Sequence, residues 1–429
     1  RQYFIQSDTD ELPFSREQRS VIYQRAKNVL DKKPFGSLNR MNEEGYEWLN
    51  HSLAPVHIAD SNFRVRVGSH PDTTQPYDVS VFNISAMSFG SLSANAISAL
   101  NKGAKKGGFF HDTGEGSVSR HHKEFGGDLI WEIGSGYFGC RRADGGFDRD
   151  QYVQVANDDQ VKMIEIKLSQ GAKPGKGGIL PGAKVTAEIS ATRGIPLGQT
   201  CISPAYHRAF SNVDELIDFI ERVADRTGLP VGIKSAIGQL DFWHELADRM
   251  KARSEGPDFI TIDGGEGGTG AAPLTFSDHV ALPFKVGFAR VYPIFQRAGL
   301  SEEIVWIGSG KLGFPDRAVI AIAMGCDLIQ VAREAMLAIG CIQAQRCHAD
   351  DCPAGVATQN RWLQAGLDVE DKSQRTARYL KGFRKELLQL AHAAGHAHPS
   401  HFRGTDIEFS TGVNQFTSLA EVLGYERDP

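Results

Sequence analysis

Three cysteines stand close together in "GCIQAQRCHADDCPAGVATQ", at positions 341, 347 and 352. Thiolates bind soft and borderline metals, so the spacing asks whether the chain holds zinc, disulfides or an iron–sulfur cluster. The pattern C-x5-C-x4-C matches neither the C-x2-C pair of a zinc ribbon nor the C-x2-C-x2-C run of a bacterial ferredoxin. A disulfide would leave one of the three sulfurs over, and six cysteines in 429 residues are too sparse for a disulfide scaffold. Zinc could take His348 as a fourth ligand. Three thiolates with no evident fourth suit a cluster that offers three iron corners, and Pro353 after Cys352 resembles the Cys-Pro close of ferredoxin motifs. Spacing alone leaves these readings open. Cys140, Cys201 and Cys326 each stand alone and read as ordinary buried or half-buried thiols.

A second set of residues suits an anionic or flat ligand. "DGGEGGTGAAP" (263–273) and "IGSGKLGFPDRA" (307–318) each follow an apolar run, and glycines let backbone N–H groups approach an anion with no Cβ in the way. Two such loops after successive late strands point to a phosphate-bearing ligand. "VGIKSAIG" puts Lys234 at the end of an apolar run, where burying its charge is costly. Its ammonium either reaches solvent or faces the electron-rich edge of a flavin or a substrate carboxylate. Gln170, Lys173 and Lys176 share the long loop "LSQGAKPGKGGILPG", and "SAMSFGSLS" offers small residues and a Met to a flat ring. "HDTGEGSVSRHH" adds Glu115 and the pair His121–His122, which as neighbours point apart and read as loop or surface residues rather than a metal pair.

The elements that must position these groups follow one rhythm from residue 79 onward. Short apolar runs lead into Gly-rich or polar turns and then into helical patterns such as "VDELIDFIERVADRTG" and "DFWHELADRMKARS". Strands alternating with helices imply a parallel sheet. So many repeats favour a closed α/β (β/α)8 TIM barrel over a Rossmann sheet, which would need GxGxxG directly after its first strand. The expected layout is an N-terminal helical arm over 1–75, a barrel over 76–365 with the cysteine loop at 340–359, and a short C-terminal helical extension over 366–429. Within the arm, Ser15 and Gln18 have the spacing of a capping box.

Composition excludes several classes. A net charge of -5 and scattered lysines, among them the run Lys102, Lys105 and Lys106 read as a solvated helix face, argue against nucleic-acid binding. No stretch is long and apolar enough to cross a bilayer, which points to the cytoplasm. The chain starts at Arg1 rather than Met, so a membrane-anchoring segment ahead of it stays open.

At these residues the chain resembles the FMN-binding synthase domain of glutamate synthase. The resemblance runs from about Ser85 to about Gln359, through "ISAMSFGSLS", "TGEGS", "EIKLSQGAKPGKGGILPG", "ISPAYH", "IDGGEGGTGA" and the cysteine segment. It implies a (β/α)8 barrel with FMN at the C-terminal ends of the strands and a 3Fe–4S cluster on Cys341, Cys347 and Cys352. It further implies that Met87, Ser88, Glu115, Gln170, Lys234, Gly265, Gly267, Gly268 and Thr269 line the flavin. Gly308, Gly310 and Lys311 would lie near its phosphate, and Lys234, Gln170 and Ser91 would face substrate. The expected partners are an amino acid or 2-oxo acid and an electron donor, either ferredoxin or an NAD(P)H-dependent flavoprotein; a homo-oligomer stays open. The chain departs from the family in lacking a glutaminase domain and a C-terminal β-helix. It also carries "PGKGG" and "GGEGGTGA" where the family commonly has "PGEGG" and "GHDGGTGA". It thus looks like a stand-alone glutamate-synthase-like flavoprotein.

Overall fold

The computed structural model describes residues 13–29, 36–37, 39–57, 63–68 and 73–425. Much of the expected arm lies outside these ranges. Its helix α1 (Arg16–Lys27) lies inside them, and Ser15 and Gln18 close the expected capping box.

Eight parallel strands form a closed barrel in chain order. They are β1 (Phe82–Ile84), β2 (His111–Asp112), β3 (Leu129–Ile133), β4 (Val161–Lys167), β5 (Val231–Ser235), β6 (Phe259–Asp263), β7 (Val305–Ser309) and β8 (Leu328–Val331). Both β3 and β5 are buried at every residue, the signature of strands covered on both faces. Around them run α2 (Ala94–Gly107), α3 (Val213–Thr227), α4 (Asp241–Arg253), α5 (Phe284–Ala298), α6 (Pro315–Ala323) and α7 (Arg333–Ala338). Short helices Arg120–Lys123 and Gln151–Ala156 serve the β2–β3 and β3–β4 connections. This is the (β/α)8 barrel expected from the alternation.

The ring is completed by α8 (Val369–Ala394), which packs against α2 and α6. Phe383 of α8 stacks on Phe82 of β1, with ring centroids 3.6 Å apart. Lys102 and Lys106 of α2 each reach Glu370 at 2.6 Å, so two residues of that run tie α2 to α8. The helix lies within 366–429, the segment read from sequence as an extension, because the cysteine loop delays the last helix rather than replacing it. Beyond it, Ile407–Gly412 pairs antiparallel with Glu47–Leu49 and Gln415–Ser418, which joins the two ends of the chain in one small sheet.

The barrel interior is layered. A hairpin of Arg64–Val67 and Tyr77–Ser80 plugs the N-terminal end, where Val67 and Val79 pack with Phe110, Ile130, Met163, Phe259, Ile307 and Leu328. Side chains repeat on one face of a strand every second residue. Two residues further along their strands, the same interior positions therefore become Glu132, Glu165, Thr261, Ser309 and Gln330. An apolar plug thus supports a polar layer, and the cavity opens above it. No helix among the described residues is long and apolar enough to cross a membrane.

Candidate active site

The polar layer is ionic. Asp112, Glu132 and Glu165 are fully buried on three neighbouring strands, and their carboxylate oxygens all lie within 4.8 Å of one another. Lys234 of β5 enters this group. Its Nζ forms an ion pair with Glu132 and stands 2.9 Å from Glu165 and 3.7 Å from Asp112. Three carboxylates cannot all stay charged here against so few cations. Burial, with Asp112 beside it, raises Glu165 well above the ordinary carboxylate range, so Glu165 holds a proton and accepts a further hydrogen bond from Thr261 Oγ1 at 2.6 Å.

Above this floor a cavity of about 530 Å³ opens at the C-terminal ends of the strands. One wall is cationic. Lys167 Nζ lies 3.3 Å from Glu115 and 3.6 Å from Glu132. Burial by itself would raise Glu115, but Lys167, Arg193 and Lys173 outweigh it and hold the carboxylate below its usual range. Lys173 is 2% exposed, and burial lowers it to about 8 even though Glu115 opposes the shift. The β4 loop beside Gln170 is fastened by Gly171, whose N–H donates to Asp263 Oδ2 at 2.8 Å; Asp263 Oδ1 accepts from Ser309 Oγ at 3.0 Å. A Cβ on Gly171 would fall 1.9 Å from the Gly264 carbonyl oxygen, so this approach requires glycine.

Support for Met87 comes from an unexpected residue. His121 and His122, read from sequence as loop or surface residues, are both buried in the short helix after β2. Ser119 N–H donates to His122 Nδ1 at 3.2 Å, which leaves the proton on Nε2 to donate to the Met87 carbonyl at 3.0 Å. Burial lowers His122 to about 4, so the ring is neutral at physiological pH. On β8, the neighbour of β1, Gln330 is 1% exposed and lines the cavity, and neither its Oε1 nor its Nε2 has a hydrogen-bond partner among the described residues. A buried amide left unsatisfied in this way fits a ligand with its own donors and acceptors.

The far end of the cavity suits an anion. Gly310 (φ +153°) and Lys311 (φ +54°) turn the chain there, and Arg333 opens α7 beside them. Burial lowers Lys311, with Arg333 and Arg317 adding repulsion. Neither Lys311 nor Arg333 has a carboxylate within ion-pair distance among the described residues; both instead lie over the Phe14 ring, at 5.3 Å and 5.1 Å from its centroid.

Cys341 and Cys347 form part of the same cavity wall, and Cys352 is buried behind it. Among the described residues, only Asp112, Glu132 and Glu165 form a tight group of three ligating side chains. Burial pushes Cys341 up to about 12, so a metal must displace its proton on binding. The arm reaches over this loop: Tyr23 Oη donates to the Cys341 carbonyl at 2.6 Å, and Phe14 exchanges two hydrogen bonds with the Gln343 side chain.

Buried Lys184 clamps the loop from the other side. Its Nζ donates to the carbonyls of Cys347 at 2.7 Å, Ala357 at 3.0 Å and Ser91 at 3.1 Å. Lys184→Met should leave three carbonyls unpaired at about 1–3 kcal/mol for a buried polar group. The expected result is faster proteolysis within 340–359 while the barrel resists; an unchanged digestion pattern would refute the clamp.

Of the residues singled out from sequence, Met87, Ser88, Ser91, Glu115, Gln170, Lys234, Gly267, Gly268, Thr269, Gly310, Lys311, Cys341 and Cys347 line this one cavity. Gly265 and Gly308 stand outside the lining. A Cβ on Gly265 would meet the Ala281 carbonyl, and one on Gly308 would meet Leu312, Phe284 and Cys326, so both serve packing. Sequence reading passed over Glu132, Glu165, Lys184, Gln330 and Arg333. The signal was there for the first two: a lone acid inside "LIWEI" and "VKMIEIK", on neighbouring strands.

Comparison with known proteins places this geometry. The family model described as the conserved region in glutamate synthase matches residues 50–397. The glutamate synthase large subunit-like protein YerD of Bacillus subtilis is 36% identical, over 97% of this chain and 89% of that protein. The archaeal glutamate synthase [NADPH] of Methanocaldococcus jannaschii is 37% identical over 80% of this chain, which spans only 64% of that protein's length. Among solved structures, mandelate oxidase with (S)-4-hydroxymandelic acid superposes with a TM-score of 0.52 at 14% identity, over 92% of this chain and 99% of that one, a likeness of fold.

Proposed function

The chain belongs to the glutamate synthase family, and we propose that it is an oxidoreductase that uses FMN and a 3Fe–4S cluster to interconvert the imine of a 2-oxo acid and an amino acid. The observation that carries this reading is a shared wall. Two of three clustered thiols border a cavity whose other walls hold an unsatisfied amide, a buried acid–lysine floor and an unpaired cationic end. The residues fit both groups. Lys311 and Arg333 would hold the flavin phosphate, Gln330 and Gln170 the ring edge, and Cys341, Cys347 and Cys352 the cluster. FMN, when bound, supplies hydride transfer and accepts single electrons.

The chain's own residues would do the rest. Lys167 and Lys173 would pair with substrate carboxylates. The Glu132–Lys234 pair would orient the reacting carbon and, with the proton held on Glu165 beneath it, keep an acid at hand for the amine nitrogen. The region around Lys176 differs from the long enzymes, so free ammonia or a partner's product would supply nitrogen, and ferredoxin or an NAD(P)H-dependent flavoprotein would supply electrons.

The test is anaerobic titration of the purified protein. Glutamate should bleach the flavin, and 2-oxoglutarate with ammonia should reoxidise it once reduced. A flavin that responds to no amino or oxo acid would leave an electron-relay subunit instead. A pH dependence follows from Lys173. Held at about 8, it is cationic below that pH and neutral above it. The apparent KM for the 2-oxo acid should therefore rise as pH climbs through 8, and Lys173→Met should raise KM at lower pH and flatten the profile. An unaltered profile in that variant would assign the carboxylate contact elsewhere.

A further inference from the structure

A second concavity of about 300 Å³ lies between the loop after β3, the segment leading into α3, and α3 itself, and shares no residue with the cavity at the barrel mouth. Five guanidiniums line it, Arg142, Arg149, Arg208, Arg222 and Arg226, against the single carboxylate of Asp144. Arg142 pairs with Asp144 at 2.9 Å and Arg226 with Asp150 at 3.2 Å. Arg149, Arg208 and Arg222 have no carboxylate within ion-pair distance among the described residues.

Backbone oxygens also hold three of these cations in place. Arg208 Nη1 donates to the Asp144 carbonyl at 3.1 Å, Arg222 Nε to Asp218 at 3.3 Å, and Arg226 Nη1 to Arg149 at 2.8 Å. Behind them the wall is aromatic, with the Phe147 ring centroid 5.1 Å from Tyr152 and 4.9 Å from Phe219. Such a wall excludes water from one side and strengthens any charge pairing in front of it. Like charges gathered around one hollow repel each other unless an anion occupies it.

We propose that this hollow binds a small phosphate-bearing anion. Guanidinium forks match phosphate oxygens two at a time, and several together favour a multivalent group over a single carboxylate. The volume sits at the lower end for small-molecule sites, which suits a nucleotide or pyrophosphate and is too small for a folded partner. The site is independent of the flavin and cluster assignments.

Calorimetric titration of the flavin-loaded protein with inorganic pyrophosphate and with ATP tests it, since FMN then blocks the other anion-binding end. Both probes should bind, and binding should weaken steeply with added salt. Arg149→Ala combined with Arg208→Ala should weaken binding on the order of tenfold or more, as should Arg222→Gln, which guards against a folding defect in the double variant. Arg297→Ala on α5 should change nothing. Absence of binding by both probes, or affinity indifferent to these arginines, overturns the proposal, as would capture only of nucleic acid or an acidic protein.

Discussion

Lys234→Met is expected to lower stability by about 3–5 kcal/mol, the range for breaking a buried ion pair by removing one partner, and to abolish turnover. Methionine keeps the length of the side chain but takes the cation away from Glu132, Glu165 and Asp112, all fully buried. Glu165 suffers least because it is already neutral. Glu132 suffers most, since Lys234 is its nearest cation and Lys167 stands 3.6 Å off, shared with Glu115. Adding Glu132→Gln should therefore restore stability without restoring activity, because the second change removes the stranded charge. Chemical denaturation of both variants reads this coupling. A single variant less than about 1 kcal/mol below the parent, or a double variant less stable than the single, would show that the floor is not held by this pair.

Cys347→Ser is expected to empty the metal site while leaving the flavin bound. The thiol sits on the loop after α7, whereas the groups assigned to the flavin in the same cavity stand elsewhere: Gln330, Lys311 and Arg333 on or just after β7 and β8, and Gln170 after β4. Iron content should fall to background and the broad absorption shoulder should vanish, with the flavin bands retained, in protein purified without oxygen. Loss of both chromophores would make the cluster a structural support for the flavin end. Zinc in the unsubstituted protein would sink the cluster assignment and with it the proposed electron path.

Much of this was legible before any coordinates. The alternation of apolar runs and helical patterns identified the barrel, because parallel strands buried on both faces must read as short continuous hydrophobic stretches. The cysteines and glycine loops announced themselves by spacing. What escaped was the interior. A strand's inward residues become visible only when eight strands are stacked in register, so Glu132 and Glu165 look like stray charges until β3 and β4 set them side by side. Gln330 in "LIQV" gave no sign at all. His122 misled because adjacency in sequence says nothing of a short capped helix that buries both rings. Gly308 and Gly265 stand outside the cavity lining, and their close neighbours, side chains for one and the Ala281 carbonyl for the other, leave no mark in one dimension.

The contact between Tyr23 and the Cys341 carbonyl joins residues 318 positions apart. The thiols are therefore roofed by a segment remote from them in sequence, so their loop is covered only once the chain has folded back on itself. A cut near residue 20 would lift that roof and leave the loop open to solvent.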